Sequence, residues 1–422
     1  MNRSAPAGGA FAAVTALFFG WGFITSLVDP LVAAVKNIFS LSNVEAQLSA
    51  FAFFIAYALA SLPASMLVAR LRHVRGIVVA LALMAAGCVI ILLASNAALY
   101  AGVLLGLFVI ASGITILQVA ANPLASALGP PARRHFRLTF AQGFNSLGTV
   151  LGPLVGASLL LRGLDTKPGE ILSDAARHAA LSSIDTAFLL IAGLIVLLGV
   201  FIWAMRRRIE AAAPPLAAGA SIGAALSARW AVLGALAIFL YVGAEVSIGT
   251  QMALFLHAPD VWNIPLQQAG YFVSLYWLGA MIGRFIGSGL MISFPAHRLL
   301  AGAMAAAAAL CLIVFLVGGG IGGYAALAVG LCNSIAFPTI FTLTLERSTA
   351  SEEATSGLLC TAIVGGAVLP LAAGAISDAF GYHHSFILPA ACYLALCLFA
   401  VAAGRAAIRS ARIDDAGGVT RH

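Results

Sequence analysis

The chain has 422 residues, of which 62% are hydrophobic and only 9% are charged, whereas an average soluble domain has roughly 25% charged residues. A soluble fold cannot bury that much apolar surface, so the composition excludes an ordinary soluble protein. The formal net charge of +7 is carried by short segments beside apolar runs, which indicates membrane topology rather than a nucleic-acid partner.

Apolar runs recur along the whole chain, and a run longer than about 18 residues can cross a hydrocarbon core of about 30 Å as a helix. We therefore predict an all-α membrane protein with twelve transmembrane helices. In chain order the predicted spans cover about 11–35, 46–69, 76–94, 98–128, 137–161, 183–205, 229–257, 268–292, 299–318, 323–345, 355–376 and 385–405.

Lysine and arginine are distributed unevenly over the predicted loops. With a cytoplasmic N-terminus, 17 of them fall on the inner side and four on the outer side. The positive-inside rule therefore predicts that both termini are cytoplasmic, which requires an even number of spans. We expect a multi-pass protein of the inner (plasma) membrane, surrounded by membrane lipid and monomeric.

The middle of the chain resembles a linker between two halves. Residues 206–228 combine a basic cluster with an Ala/Pro/Gly stretch, which favours a flexible cytoplasmic linker. The two halves also repeat weakly at a nearly fixed offset, such as the 217 residues that separate Gly148 from Gly365. The prediction is two pseudo-symmetric six-helix bundles, residues 1–205 and 229–422, with a substrate site at mid-membrane.

Three charged side chains lie away from the ends of the predicted spans, where each costs about 2.5 to 3.5 kcal/mol on insertion scales and is therefore a functional candidate. They are Asp29, Glu245 and Arg284. Asp29 ends a helical face and is followed by Pro30, which frees a backbone carbonyl, so it suits a coupling-ion site. The alternative is a permanently ionised carboxylate at the outer end of the span.

Glu245 lies in the middle of its span, one helical turn from Tyr241. A carboxylate beside an aromatic ring suits a sugar, which presents hydroxyls and an apolar C–H face. Glu245 is thus a candidate for both substrate binding and ion coupling. The alternative is a protonated glutamate bonded only to neighbouring helices.

Neutral amides occur in further pairs that share a helical face, and amides both donate and accept hydrogen bonds, which suits uncharged polyols. Any single pair can instead hold two helices together. The candidate substrate-binding residues of these pairs are Gln118 with Asn122, Gln142 with Asn145, and Asn333 with Phe337.

Arg284 lies among Gly279, Gly283 and Gly287, whose spacing allows close helix approach. We assign Arg284 a gating or structural role, with Glu346 as a possible ion-pair partner. The prolines of the two polar spans, Pro123 and Pro338, receive the same gating or structural role.

The loops contain no metal-ligand spacing, phosphate loop or nucleophile motif, so the sequence does not favour an enzyme. No catalytic residue, metal site or cofactor is predicted, apart from a coupling cation, H⁺ or Na⁺. Carboxylate and amide oxygens also suit sodium, which therefore remains the competing ion.

Several long motifs recur through both halves of the chain: LQVAANPLASALGP (117–130), HFRLTFAQGFNSLG (135–148), FLYVGAEVSIGT, SLYWLGAMIGRFIGS, CNSIAFPTIFTL and GLLCTAIVGGAVLPL. On these motifs the chain resembles the fucose–proton symporter family of the major facilitator superfamily, and in particular its glucose/galactose transporter branch.

The resemblance implies a two-bundle fold with alternating access and a neutral sugar as substrate. It also places Asp29 at the position of a first-helix carboxylate that is regarded as a protonation site. In the fucose branch the residue four before the Asn-Pro motif is typically a second acid, but here it is Gln118, which cannot titrate. A two-carboxylate relay is therefore not transferable, and Glu245 is our own candidate for the second acid.

The leading hypothesis is a secondary active transporter that imports a neutral hexose, such as glucose or galactose, by cation symport, with the proton favoured over sodium. One alternative is a facilitative sugar uniporter, which the glutamine at position 118 favours. Another is a non-transporting sugar receptor of the same fold.

Overall fold

The computed structural model describes residues 4–26, 43–160, 174–213 and 221–408, and over these ranges its regular elements are helices without β-strands. The α-helices in chain order are α1 Ser4–Ser26, α2 Asn43–Leu71, α3 His73–Asn96, α4 Tyr100–Ala127, α5 Arg134–Leu160, α6 Asp174–Ala204, α7 Arg206–Ala212, α8 Ile222–Ser227, α9 Arg229–His257, α10 Leu266–Leu290, α11 Ala296–Val317, α12 Gly319–Asn333, α13 Ala336–Arg347, α14 Glu352–Thr361, α15 Gly365–Phe380 and α16 Ile387–Arg405.

Eleven segments within the described ranges are long and apolar enough to cross a membrane. The predicted span 137–161 is the one without a counterpart among them, and it corresponds to α5. This helix is 27 residues long, which is enough to span, but it carries charged and amide side chains such as Arg137, Gln142 and Asn145. With α5, the described spans account for the twelve that the sequence predicts.

Large apolar side chains cover the outward faces of these helices. Leu189 and Leu197 in α6 are 62% and 64% exposed, and Leu398 in α16 is 71% exposed. Apolar surface on this scale is unfavourable in water but is the normal covering of a protein in hydrocarbon.

Backbone contacts divide the chain into two compact units. The first comprises Met1–Leu128 and Phe144–Leu216, and the second comprises Gly129–Gly143 and Ala217–His422. The predicted bundle boundaries stay a prediction, and they differ from these units in the assignment of Gly129–Gly143. Within the predicted linker 206–228, the described residues form α7 and α8.

In the first unit, α3 and α4 pack closely because glycines face the contact. A Cβ at Gly87 would lie 2.8 Å from the Gly106 carbonyl oxygen, and a Cβ at Gly113 would lie 2.7 Å from the Ala80 carbonyl oxygen. Since real Cβ atoms do not approach backbone so closely, only glycine permits this distance between the two backbones. The contact holds α4, the helix that carries Gln118, against α3.

In the second unit, α9 packs against most of its neighbours, including α10, α13, α15 and α16. Two predicted spans are interrupted there. The span 323–345 consists of α12 and α13 with a break at residues 334–335, and a 3₁₀ turn at Ala362–Val364 separates α14 from α15. These breaks leave backbone carbonyls available for side chains.

Candidate substrate and ion-coupling site

A polar cluster in the second unit begins with Tyr241 and Glu245 in α9. Residues four apart share a helix face, and the Tyr241 hydroxyl accordingly donates to Glu245 Oε1 at 2.7 Å. Tyr241 is 1% exposed, whereas Glu245 is half-buried. The carboxylate is therefore held by a buried phenol while part of its residue stays accessible.

Asn333 joins this pair to two further helices. It is the last residue of α12, and its side-chain amide donates to the Tyr276 hydroxyl of α10 at 2.7 Å. Its backbone carbonyl lies 3.1 Å from the Tyr241 hydroxyl. The Tyr276 hydroxyl in turn donates to the backbone carbonyl of Glu245 at 3.2 Å. The result is a closed ring of hydrogen bonds that links α9, α10 and α12.

The break between α12 and α13 exposes a carbonyl beside this ring. In a continuous helix the Ser334 carbonyl would accept from residue 338, but Pro338 has no N–H. Arg284 Nε of α10 donates to that carbonyl instead, at 3.1 Å. The half-buried guanidinium also donates to the Gln142 carbonyl at 3.4 Å and lies within electrostatic range of Glu245.

The glycines around Arg284 have the role that their spacing predicts. A Cβ at Gly283 would lie 2.9 Å from the Leu331 carbonyl oxygen, and one at Gly279 would lie 3.3 Å from the Leu331 nitrogen. The close approach of α10 to α12 is therefore confirmed. It brings Arg284 to the break.

Two other sequence candidates lie near this region of the second unit. Phe337 is half-buried in the first turn of α13, beyond the break that follows Asn333, and its ring centroid lies 5.8 Å from that of Phe341. Gln142 is 4% exposed. Phe337 supplies an apolar ring surface of the kind on which a sugar C–H face stacks.

In the first unit, the amide pair of α4 is deeply buried. Gln118 Nε2 donates to the hydroxyl of Tyr57 in α2 at 2.9 Å, and Gln118 is 5% exposed. Asn122 is fully buried and precedes Pro123, which lies within α4. Gln118 is thus hydrogen-bonded to a tyrosine, as Glu245 is in the second unit.

Asn145 in α5 contacts the backbone of α1. Its Nδ2 donates to the Phe18 carbonyl at 3.1 Å, and a Cβ at Gly22 would lie 2.7 Å from the same nitrogen. Asn145 therefore joins two helices, which is the alternative that the sequence analysis gave for such a pair. Its substrate-binding role stays a prediction.

Asp29 lies outside the described residues, so its coupling role stays a prediction from the sequence. Part of the helical face that precedes Asp29 lies within the described residues. Trp21 is buried and packs on Phe18 with ring centroids 5.1 Å apart, and the Thr25 hydroxyl donates to the Trp21 carbonyl at 2.9 Å.

A cluster of charges lies at the C-terminal end of α13. His135 Nε2 and Arg347 Nη1 each lie 3.1 Å from a carboxylate oxygen of Glu346, the residue that the sequence offered as a partner for Arg284. His135 Nδ1 lies 2.6 Å from the Thr342 hydroxyl, and Arg134 pairs with Glu352. These pairs tie the N-terminal end of α5 to α13 and α14.

Two tyrosines that hydrogen-bond to predicted site residues, Tyr276 and Tyr57, were not themselves predicted from the sequence. Tyr276 is fully buried and binds both Asn333 and Glu245, and Tyr57 binds Gln118. The available signal was a hydrogen-bonding aromatic residue inside a span, which needs a partner when buried. Among the described residues, no group of three or more His, Cys, Asp or Glu side chains is placed to hold a metal ion.

The helices of spanning length and the polar clusters within them define a polytopic membrane transporter. The family profile described as Major Facilitator Superfamily matches residues 10–362. The chain belongs to this superfamily. Its twelve-helix fold, the predicted resemblance and the expectation that it is not an enzyme are thereby confirmed.

Individual relatives cover nearly the whole chain. A glucose/galactose transporter of Brucella abortus (biovar 1, strain 9-941) is 41% identical over 392 residues, which are 93% of each protein. An L-fucose-proton symporter of Escherichia coli (strain K12) is 32% identical over 413 residues, 92% of each. The crystal structure of the transporter FucP in the outward conformation has a TM-score of 0.83 at 30% identity, and the match covers 93% of this chain and 98% of that one.

Proposed function

We propose that this protein imports a neutral hexose, such as glucose or galactose, by proton symport. The relatives named above are described as glucose/galactose and L-fucose-proton transporters, which supports a neutral sugar and a proton. The site supports the same class of substrate, because the groups assigned to substrate binding are amides, aromatic side chains and one carboxylate. Such groups bind hydroxyls without requiring a charged substrate.

The observation that carries the proposal is the Tyr241–Glu245–Asn333 cluster of the second unit. It combines a carboxylate that can accept from sugar hydroxyls with amide and aromatic neighbours. The first unit offers Gln118, Asn122 and Asn145 as further candidates, and Gln142, which belongs to the second unit, is another.

For the coupling ion we propose a proton taken up at Asp29 and Glu245. Glu245 is half-buried and beside Arg284, so its charge state depends strongly on its surroundings. Arg284, Pro123 and Pro338 would serve as gating or structural residues. Sodium remains the competing cation and is tested below.

We further propose that the protein lies in the inner membrane as a monomer with both termini cytoplasmic. The support is the distribution of lysine and arginine over the loops, 17 on the inner side against four on the outer side. A single cysteine introduced near either terminus would test the orientation in intact cells, and labelling of that cysteine by a membrane-impermeant reagent would contradict it.

Counterflow in proteoliposomes tests the substrate directly. Vesicles loaded with unlabelled sugar are diluted into labelled glucose, galactose, fucose, mannose or N-acetylglucosamine. We expect transient accumulation of label for at least one of these sugars. Vesicles that exchange none of them would contradict the proposal.

A facilitative uniporter is the second candidate, and the Gln118–Tyr57 hydrogen bond is the observation that favours it. Glutamine cannot carry a proton at the position where the fucose branch is expected to have an acid. Uptake that reaches equilibrium but ignores both proton and sodium gradients would select the uniporter. Saturable sugar binding without any exchange would instead select a receptor.

A further inference from the structure

The Tyr241 hydroxyl lies between two oxygen atoms that both need its proton. Glu245 Oε1 is 2.7 Å away and the Asn333 backbone carbonyl is 3.1 Å away. A phenol carries one hydrogen, and a carbonyl oxygen only accepts. The phenol can share its hydrogen between the two oxygens in a weaker three-centre bond, but two full hydrogen bonds form at the same time only if Glu245 supplies a second hydrogen.

The protonation state of Glu245 decides which bond the phenol makes. When Glu245 is ionised, the phenol donates to the carboxylate, because a charge-assisted hydrogen bond is roughly twice as strong as a neutral one. The Asn333 carbonyl then keeps at most the weaker arm of a three-centre hydrogen bond. When Glu245 is protonated, the acid donates to the phenol oxygen and the phenol donates to the carbonyl.

The Asn333 carbonyl is the last one of α12, directly before the break at residues 334–335. The next carbonyl, that of Ser334, is held by Arg284 because Pro338 has no N–H to offer. The side chains of Tyr241 and Arg284 thus donate hydrogen bonds to two successive carbonyls at the break, and both side chains also interact with Glu245. Within the described ranges, the ionisable groups that face Glu245 are Tyr241 of α9 with Tyr276 and Arg284 of α10.

We propose that Tyr241 is a positioning residue that transmits the protonation state of Glu245 to the break between α12 and α13. When Glu245 binds a proton, the phenol donates its hydrogen bond to the Asn333 carbonyl, and when Glu245 loses the proton this hydrogen bond is weakened. Because the break lies within a membrane span, this exchange gives a coupling proton control over the angle at which α13 leaves α12. The inference rests on the proposed function, in which Glu245 takes up the coupling proton.

Infrared difference spectroscopy of the full chain, reconstituted without sugar and labelled with backbone ¹³C=O asparagine, tests this exchange. A hydrogen bond lowers the stretching frequency of a carbonyl. We expect acidification of the wild type to shift a labelled asparagine band to lower frequency. In Glu245→Gln the side chain no longer titrates, so the band should keep one position at every pH.

Two further variants complete the experiment. Tyr241→Phe should hold the band at the high position at every pH, whereas Tyr393→Phe, which removes another buried phenol beside Asn333, should keep the wild-type response. A wild-type spectrum without the shift, or a shift that persists in Glu245→Gln or Tyr241→Phe, would overturn the proposal. If Tyr241→Phe fails to fold, Glu245→Gln still decides the question.

The outcomes separate this inference from the proposed function. The spectra are recorded without substrate, so a chain that exchanges no sugar can still show the shift. Sugar counterflow without a pH-dependent asparagine band would overturn the transmission through Tyr241 and leave sugar transport standing.

Discussion

The surroundings of Glu245 have opposing effects on its charged form. The Tyr241 phenol donates to its carboxylate and Arg284 lies within electrostatic range, while its half-buried position costs hydration. A carboxylate in such a place binds a hydroxyl or a proton readily because either one replaces lost water.

We expect Glu245→Gln to weaken sugar binding about tenfold to a hundredfold. A hydrogen bond to a charged group contributes about 1.5–3 kcal/mol, and 1.4 kcal/mol corresponds to about tenfold in affinity. The apparent affinity in counterflow is the measurement. Glu210→Gln is the matched control, because Glu210 is exposed in α7. An unchanged affinity in Glu245→Gln would reduce Glu245 to a structural role.

Tyr276→Phe tests the hydrogen-bond ring by itself. The change removes one hydroxyl that serves both the Asn333 amide and the Glu245 carbonyl, so it leaves buried polar groups without a partner. We expect a loss of about 1–3 kcal/mol of stability, visible as a lower Tm in detergent. Tyr324→Phe, at a residue 70% exposed, should leave Tm unchanged. Equal Tm values for both variants would refute a structural role of the ring.

At the level of helices, glycines determine how close α3 and α4 can lie. We expect Gly87→Ala to cost about 1–3 kcal/mol, because the new methyl group meets the backbone of Gly106. Gly193→Ala is the control in α6, where a Cβ would meet nothing within 4 Å, and it should stabilise its helix by about 0.5–1 kcal/mol. Thermal unfolding monitored by circular dichroism distinguishes the two. A neutral Gly87→Ala would mean that α3 and α4 can separate freely.

The spans were largely predictable from sequence, because hydropathy and length report directly on burial in lipid. The interruptions of the helices within these spans were not predictable. The predicted spans 323–345 and 355–376 each contain a break, and hydropathy does not register a lost backbone hydrogen bond. The signal at the first break was Pro338, whose missing N–H frees the Ser334 carbonyl.

The site was predictable only where its contacts are local in sequence. Tyr241 and Glu245 are four residues apart, so helical periodicity placed them together. Asn333 and Tyr276 are 57 residues apart, and no periodic pattern joins them. Their contact depends on how α10 packs against α12, which the sequence does not specify residue by residue.

For the whole molecule, transport requires that the empty, loaded and protonated states interconvert. We expect Asp29→Asn to abolish accumulation of sugar while exchange persists, because a neutral isostere mimics one protonation state and stops the cycle there. Accumulation against exchange, measured in the same vesicles, separates the two processes. Asp378→Asn, at an exposed aspartate of α15, should retain both. Accumulation that survives Asp29→Asn would remove Asp29 from the coupling site.

The central claim is that a proton gradient drives sugar uptake through this chain, and its most direct test is the accumulation of labelled hexose in proteoliposomes under an imposed inward proton gradient. We predict accumulation above the external concentration that collapses with a protonophore and does not require sodium. Uptake that never exceeds equilibrium, or that follows a sodium gradient instead, would contradict the account.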